Sequence, residues 1–228
     1  MQNTDFQIGA IKPVEIYKEA WALMKERYWM VFGIVIVGML IGGAVPIILI
    51  GPMMCGMFLC LFDLIDGREL KFEKLFKGFD YIWKSLLVSV LIFVPIFIVL
   101  FTIYIPMIAM AIAGPKMSES ELIPFLIGTV IFEIVIVVVM VCFHTLIMFA
   151  YPLIVERGLT GVQAMMVSAK AVWNNLAGMA GLFGVGFVVA IVGYLMLCVG
   201  LYLVLPLIMM AQAVAFRKIF PKPVTNAI

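Results

Sequence analysis

GLTGVQAMMVSAKAVWNNL, residues 158–176, lies between two long apolar blocks and decides how the chain is read. Apolar residues recur at Val162, Met165, Met166, Ala169, Val172, Trp173 and Leu176, the spacing of one helical face. Thr160 followed three residues on by Gln163 has the form of a capping box, which opens a helix. Gln163, Ser168, Lys170 and Asn174 fall on the other face. A helix of this kind between apolar blocks lies along a membrane surface and does not cross it.

The blocks on either side set the class. Of 228 residues, 66% are hydrophobic and 12% charged, and the mean hydropathy is +1.24. A soluble domain is about half apolar and about a quarter charged, so this excess belongs to a polytopic membrane protein. The first ~28 residues are amphipathic and lack a short apolar run ending at a small-residue cleavage site, so no cleavable signal is expected. The first span is then the insertion signal. Cys55, Cys60, Cys142 and Cys198 sit inside apolar blocks without CxxC or metal-ligand spacing and read as small buried apolar side chains.

Residues 1–12 are polar and expected to be loose. Residues 13–27 read as an amphipathic helix with Ile16, Tyr17, Ala20, Trp21 and Met24 on one side. The apolar run 28–63 is too long for one span of about 20 residues. It divides into two near Gly42-Gly43-Ala44-Val45-Pro46, the second running over 50–64. DGRELKFEKLFKGFDYIWK, residues 66–84, carries a stripe of Phe72, Leu75, Phe76, Phe79, Ile82 and Trp83. A third span over 85–112 contains Pro95 and Pro106, expected kink sites. A loop at 114–121 leads to a fourth span over 124–155, and the fifth and sixth cover 177–193 and 195–216.

The stripes of the three amphipathic segments superpose without a gap. Each segment precedes two spans, and each second span holds a proline: Pro52, Pro152 or Pro206. The expected fold is an all-α polytopic membrane protein, one membrane domain over 1–228. Its six transmembrane helices form three hairpins, each preceded by a cytoplasmic interfacial helix, in repeats of approximately 13–66, 71–156 and 160–218. Every Lys and Arg except Lys116 falls on one side of such a bundle. The positive-inside rule makes that side cytoplasmic, with both termini there, as in a multi-pass bacterial inner-membrane protein. Trp21, Trp83 and Trp173, with Lys74, Lys77, Lys84 and Lys170, are the expected interfacial anchors. Anionic headgroups attract such lysines by about 1 kcal/mol each. The alternative is that the segments only tie the spans together.

YPLIVERGLTGVQAMMVSAKAVWNN, residues 151–175, resembles bacterial integral membrane proteins that include the membrane domain of some glycerophosphoryl diester phosphodiesterases. That family shares a Pro-Leu within a span, a Glu-x-Gly turn, and an Ala-x-x-x-Ser helix ending in an aromatic residue. Pro152, Leu153, Glu156, Gly158, Ala164, Ser168 and Trp173 match it here. LFKGFDYIWKSLL, residues 75–87, looks similar. The resemblance covers the last third of the chain well and the rest loosely. Its motifs are structural and imply a fold without an activity, and no soluble phosphodiesterase domain lies within these residues.

Few polar groups interrupt the spans. Glu133 is the one acid deep in an apolar run, and His144 follows on nearly the same face about 16 Å along the helix. Such groups are functional candidates by default, here as a polar track for protons or a headgroup, or else bonded to a neighbouring helix. Gln212 reads as a cross-link between helices. Gly38 and Gly42, and Gly181 and Gly184 with Ala177 and Ala180, are small-residue pairs for close helix contact, within the chain, in a homo-oligomer or with a membrane partner. Asp63 and Asp66 are expected to face cytoplasmic water. There is no HExxH, GxSxG or Walker loop, so an enzyme, a cofactor, a metal or nucleic-acid binding has no support in the sequence. Two functions remain: a non-enzymatic scaffold or accessory subunit that engages lipid and partner proteins, and a transporter or lipid translocator with a cavity between the repeats.

Overall fold

Proline and glycine set several helix ends in the computed structural model, which describes residues 5–196 and 199–222. Helix α1, Pro13–Met24, and α3, Pro46–Ile65, both begin on proline, whose missing N–H is lost at no cost in a first turn. Between them α2 covers Tyr28–Ala44, so the break falls within the expected Gly-Gly-Ala-Val-Pro stretch. Then come α4, Ile82–Ala113; α5, Glu119–Ile147; α6, Ala150–Arg157; α7, Gly161–Trp173; α8, Leu176–Leu195; and α9, Val199–Ile219. Gly67 and Gly158, at φ 69° and 66°, follow α3 and α6 in the left-handed conformation that closes a helix. No strand occurs among the described residues, and six helical stretches are long and apolar enough to cross a membrane.

The chain divides into two compact units, one of Val90–Thr145 and one of the residues before and after it. Not one residue of 90–145 is buried, although nearly all are apolar. A two-helix hairpin has no interior of its own, so its stability in this form requires an apolar solvent on its outer faces, which a bilayer supplies. Its turn is capped by Ser118, whose N–H and hydroxyl donate to Glu121 Oε2 at 3.0 and 2.8 Å.

In the other unit the second spans meet. Phe62 of α3, Phe149 and Phe216 of α9 pack ring on ring, with centroids 5.3 Å apart for Phe62–Phe216 and 6.0 Å for Phe149–Phe216. The expected fourth span is not one helix. The break at Met148-Phe149 has two local causes. Pro152 has no N–H for the Met148 carbonyl, and that oxygen accepts instead from Gln212 Nε2 at 2.8 Å. Ser168 of α7 fills the gap, its hydroxyl donating to Leu146 O at 2.7 Å and accepting from Phe149 N at 3.1 Å.

The segment Phe72–Tyr81 departs from the expected α-helical period and winds as a 3-10 helix for ten residues, far beyond the usual single turn. Its packing shows why the sequence tolerates this. A Cβ on Gly78 would stand 2.6 Å from Gly56 N and overlap Pro52 O, and one on Gly56 would overlap Leu75 O. Two backbones therefore touch through reciprocal Cα–H···O contacts, which only glycine at both positions permits.

Each surface segment packs on a different hairpin. The 3-10 segment lies on α2 and α3, and α1 on α8 and α9. Helix α7 lies on α6 and on the start of α4, where a Cβ on Gly161 would come 2.7 Å from Lys84 O. Residues 5–12, expected to be loose, are held where the structure describes them. Gly9 N donates to Asn175 Oδ1, Asn175 Nδ2 to Gln7 O, and Gln7 N to Ile219 O.

Candidate functional site

Charge is gathered at the ends of the second spans. Asp63, read from sequence as water-facing, is buried, its side chain 5% exposed, and ion-paired with Lys74 and, at 2.6 Å, with Arg68 Nε. Burying a carboxylate is costly unless it is paired, and the two cations meet that condition. Asp66, also expected in water, is mostly covered; Arg68, Lys222 and Arg217 lie 2.7, 2.7 and 3.3 Å from its Oδ2. Arg217 in turn donates to Glu156 Oε1 at 2.5 Å, and its guanidinium stands 4.5 Å from the centre of the Phe62 ring. Asp66 on α3's end, Glu156 on α6 and Arg217 on α9 thus tie the three second spans together. Sequence reading missed this knot because its members are far apart in the chain and each resembles an ordinary span-flanking charge.

The expected apolar stripe is the buried side in α1, where Ile16, Tyr17, Ala20 and Met24 are covered, but it is largely turned outward in α7. In α7 the residues turned inward are Gly161, Ala164, Ser168, Ala171 and Val172, whereas Val162, Met166 and Trp173 of the expected stripe are exposed. The predicted capping box of Thr160 and Gln163 is formed. Ser168, placed by sequence on the outer polar face, is wholly buried in the α5–α6 break. The spacing of Gly161, Ala164, Ser168 and Ala171 was the available signal for a close-packed small-residue face. Trp21, Trp83 and Trp173 are 48%, 82% and 66% exposed. Lys84 Nζ donates to Gly158 O at 3.2 Å, Lys74 is held by Asp63, and Lys170 lines an open cavity of about 500 Å³ with Asp5, Phe6 and Val167.

Within the hairpin of 90–145 the two singled-out polar side chains are each engaged across α4 and α5. Thr102 Oγ1 lies 3.3 Å from Glu133 Oε2, and Glu133 Oε1 is out of solvent without a hydrogen bond. His144 places Nδ1 2.8 Å from Met140 O and Nε2 3.0 Å from Ile92 O, so both ring nitrogens face carbonyl oxygens. Among the described residues no three His, Cys, Asp or Glu side chains converge on a metal-sized site.

Glycines divide by what a Cβ would meet. At Gly38 it would stand 2.8 Å from Met57 Sδ, at Gly42 3.0 Å from Ile50 Cδ1, and at Gly181 2.7 Å from Pro13 Cγ. Gly184, paired with Ala180 in the sequence reading, faces open space; Gly178, close to Ile11, holds a tight contact instead. Cys55 and Cys60 are buried, but Cys142 is exposed on the hairpin of 90–145, and Cys198 lies outside the described residues.

Comparisons with family models, with characterised proteins and with solved structures give no match.

Proposed function

We propose that this is a non-enzymatic multi-pass protein of the bacterial inner membrane, a scaffold or accessory subunit that engages lipid headgroups and partner membrane proteins. The observation that carries the reading is the exposed tryptophan on each surface segment. Trp21, Trp83 and Trp173 point away from the protein on segments that also bear lysines, while the opposite sides of those segments are packed. Exposed indole beside ammonium suits the headgroup boundary of a bilayer. The basic residues, all but Lys116 on one side of the spans, favour a cytoplasmic position for both termini and for the three segments.

A threefold repeat of surface segment and two spans accounts for the packing order. Each segment rests on the hairpin that precedes it in the cycle: the 3-10 segment on α2 and α3, α7 on α6 and the start of α4, and α1 on α8 and α9. The relation to the membrane domain of glycerophosphoryl diester phosphodiesterases belongs to the same proposal and rests on the residues of 151–175 alone. The test is chemical labelling of single cysteines placed at Lys77, Lys170 and Lys116 in sealed membrane vesicles of known orientation. Labelling of the first two from the cytoplasmic side alone, and of the third from the other, supports the reading. Any other pattern removes it.

Lipid translocation is the second reading, favoured by the unsatisfied Glu133 Oε1 beside Thr102, within a long apolar run of the hairpin. Purified protein and its Glu133→Gln variant, reconstituted in liposomes with a fluorescent lipid, separate the two. Translocation that depends on Glu133 selects this reading, and none above that of protein-free liposomes discards it.

A further inference from the structure

Winding at 3.0 residues per turn stacks every third side chain in one column, about 6 Å apart, so Phe72–Tyr81 presents three faces. Leu75 and Gly78 make the buried one. Lys71, at the cap, with Lys74 and Lys77, makes the second. Glu73, Phe76 and Phe79 make the third, with Phe76 44% and Phe79 38% exposed. Beside these columns is an open cavity of about 260 Å³ lined by Asp63, Glu69, Lys71, Glu73, Lys74 and Lys77.

Ion pairing consumes most of that charge. Asp63 holds Lys74, and Glu69 lies 3.2 Å from Lys71. Glu73 and Lys77 remain without an ion pair. On an α-helix this order and spacing, glutamate four residues before lysine, is the favourable one for pairing. On a 3-10 helix the two fall on adjacent columns about 120° apart and do not meet. The winding that the Gly56–Gly78 contact accompanies therefore leaves one carboxylate and one ammonium free on the wall of one cavity, next to two exposed phenyl rings.

We propose that this cavity binds the headgroup of a zwitterionic phospholipid that carries a primary ammonium. Lys77 takes the phosphate; Glu73 accepts from the ammonium; Phe76 and Phe79 lie along the upper acyl chains. Charge complementarity selects this occupant. An anionic head without an ammonium meets the Glu73 carboxylate as a like charge, and a quaternary ammonium has no N–H to donate. The exposed phenyl groups select a lipid over a free phosphorylated solute. The inference rests on the lipid-engaging reading above and narrows it to one site.

The test uses the full chain in nanodiscs of defined composition. Retention of phosphatidylethanolamine, phosphatidylcholine and phosphatidylglycerol with the same acyl chains is measured by mass spectrometry after extraction from the purified protein. Wild-type protein retains phosphatidylethanolamine about tenfold over either competitor, the factor expected for one charge-assisted contact. Glu73→Gln brings it down to the phosphatidylcholine level, and Lys77→Gln lowers all three. The exchange variant carrying both Glu73→Lys and Lys77→Glu, which conserves charge, regains the preference in part. Equal retention of the three lipids, or a preference untouched by both single variants, overturns the proposal. A preference for phosphatidylglycerol independent of Glu73 overturns it while leaving the interfacial reading standing. Labelling of Lys77 from the non-cytoplasmic side removes both.

Discussion

Replacing Gly78 with alanine tests the closest backbone approach in the protein. Its Cβ would stand 2.6 Å from Gly56 N, against the 3.4 Å at which ordinary contact begins. The Pro52 oxygen stands closer still, so the 3-10 segment and α3 must part by more than about 0.8 Å, because no side chain can rotate out of the way. A gap of that size forfeits about a quarter to a half of the dispersion attraction along the contact. The wholly buried Leu75 lies on that contact, and the reciprocal Cα–H···O pair is lost with it. Together these come to about 2–3 kcal/mol, the upper part of the range for overpacking. At roughly 2–4 °C per kcal/mol for a chain of this length, thermal unfolding in detergent should fall by about 4–12 °C. Tryptophan fluorescence reports it, Trp83 lying just past the segment. Gly184→Ala is the control: its Cβ meets nothing, and alanine is the better helix former, so its midpoint should stay or rise. If Gly78→Ala melts within a degree of Gly184→Ala, the two backbones do not touch and the reason given for the tight winding is wrong. The variant with both Gly56 and Gly78 as alanine should cost less than the sum of the two, since one displacement relieves both.

Gln212→Leu leaves the Met148 carbonyl unsatisfied and should lower stability by about 0.5–1.5 kcal/mol in chemical denaturation; Pro152→Ala, which restores a donor to that oxygen, should reduce the loss. Asp63→Asn releases Lys74 and Arg68 from their carboxylate, and because both cations reach water the cost should be about 1–2 kcal/mol, below that of a fully buried pair. Arg217→Lys keeps the charge but not the fork that spans Glu156 and Asp66, so a double-mutant cycle with Glu156→Gln should show about 1–3 kcal/mol of coupling; additive losses would mean the two groups act separately. Ser168→Ala opens both hydrogen bonds in the α5–α6 break and should speed amide exchange at Phe149 relative to Ile154.

The six apolar stretches were legible because block length and the glycine and proline between blocks act locally. The break before α3 fell in the expected Gly-Gly-Ala-Val-Pro stretch, although α3 opens on Pro46, ahead of the expected residue 50. Legible too was the capping box at Thr160, whose donors and acceptor lie within one turn. What failed needed partners distant in sequence. The fourth span looked continuous because Pro152 is an ordinary feature of a transmembrane helix; its break exists where Ser168 and Gln212, from two other helices, take over the backbone groups it frees. Asp63 is the exception: its partners Arg68 and Lys74 follow it closely in sequence, but they come back over it through the left-handed turn at Gly67, which the reading of the span end left out.

The stripe of large apolar residues misled for a different reason. In water, that stripe is the packed side of a surface helix, since the polar side must face solvent. When hydrocarbon is the solvent, large apolar side chains gain little by turning inward, and van der Waals contact between backbones becomes the stronger discriminator. Small residues then take the protein side, as Gly161, Ala164, Ser168 and Ala171 do in α7 and Gly78 does in the 3-10 segment. Phe76, Phe79, Trp83, Met166 and Trp173 are left outside. Helix α1 keeps the aqueous pattern, burying Ile16, Tyr17, Ala20 and Met24 while Trp21 stays out, and on the facing helix Gly181 and Gly186 make room for Pro13 and the Tyr17 hydroxyl. Close approach therefore needs a glycine on either one of two facing surfaces. The side that carries it decides whether the large residues of a surface segment end up against the protein or against the lipid.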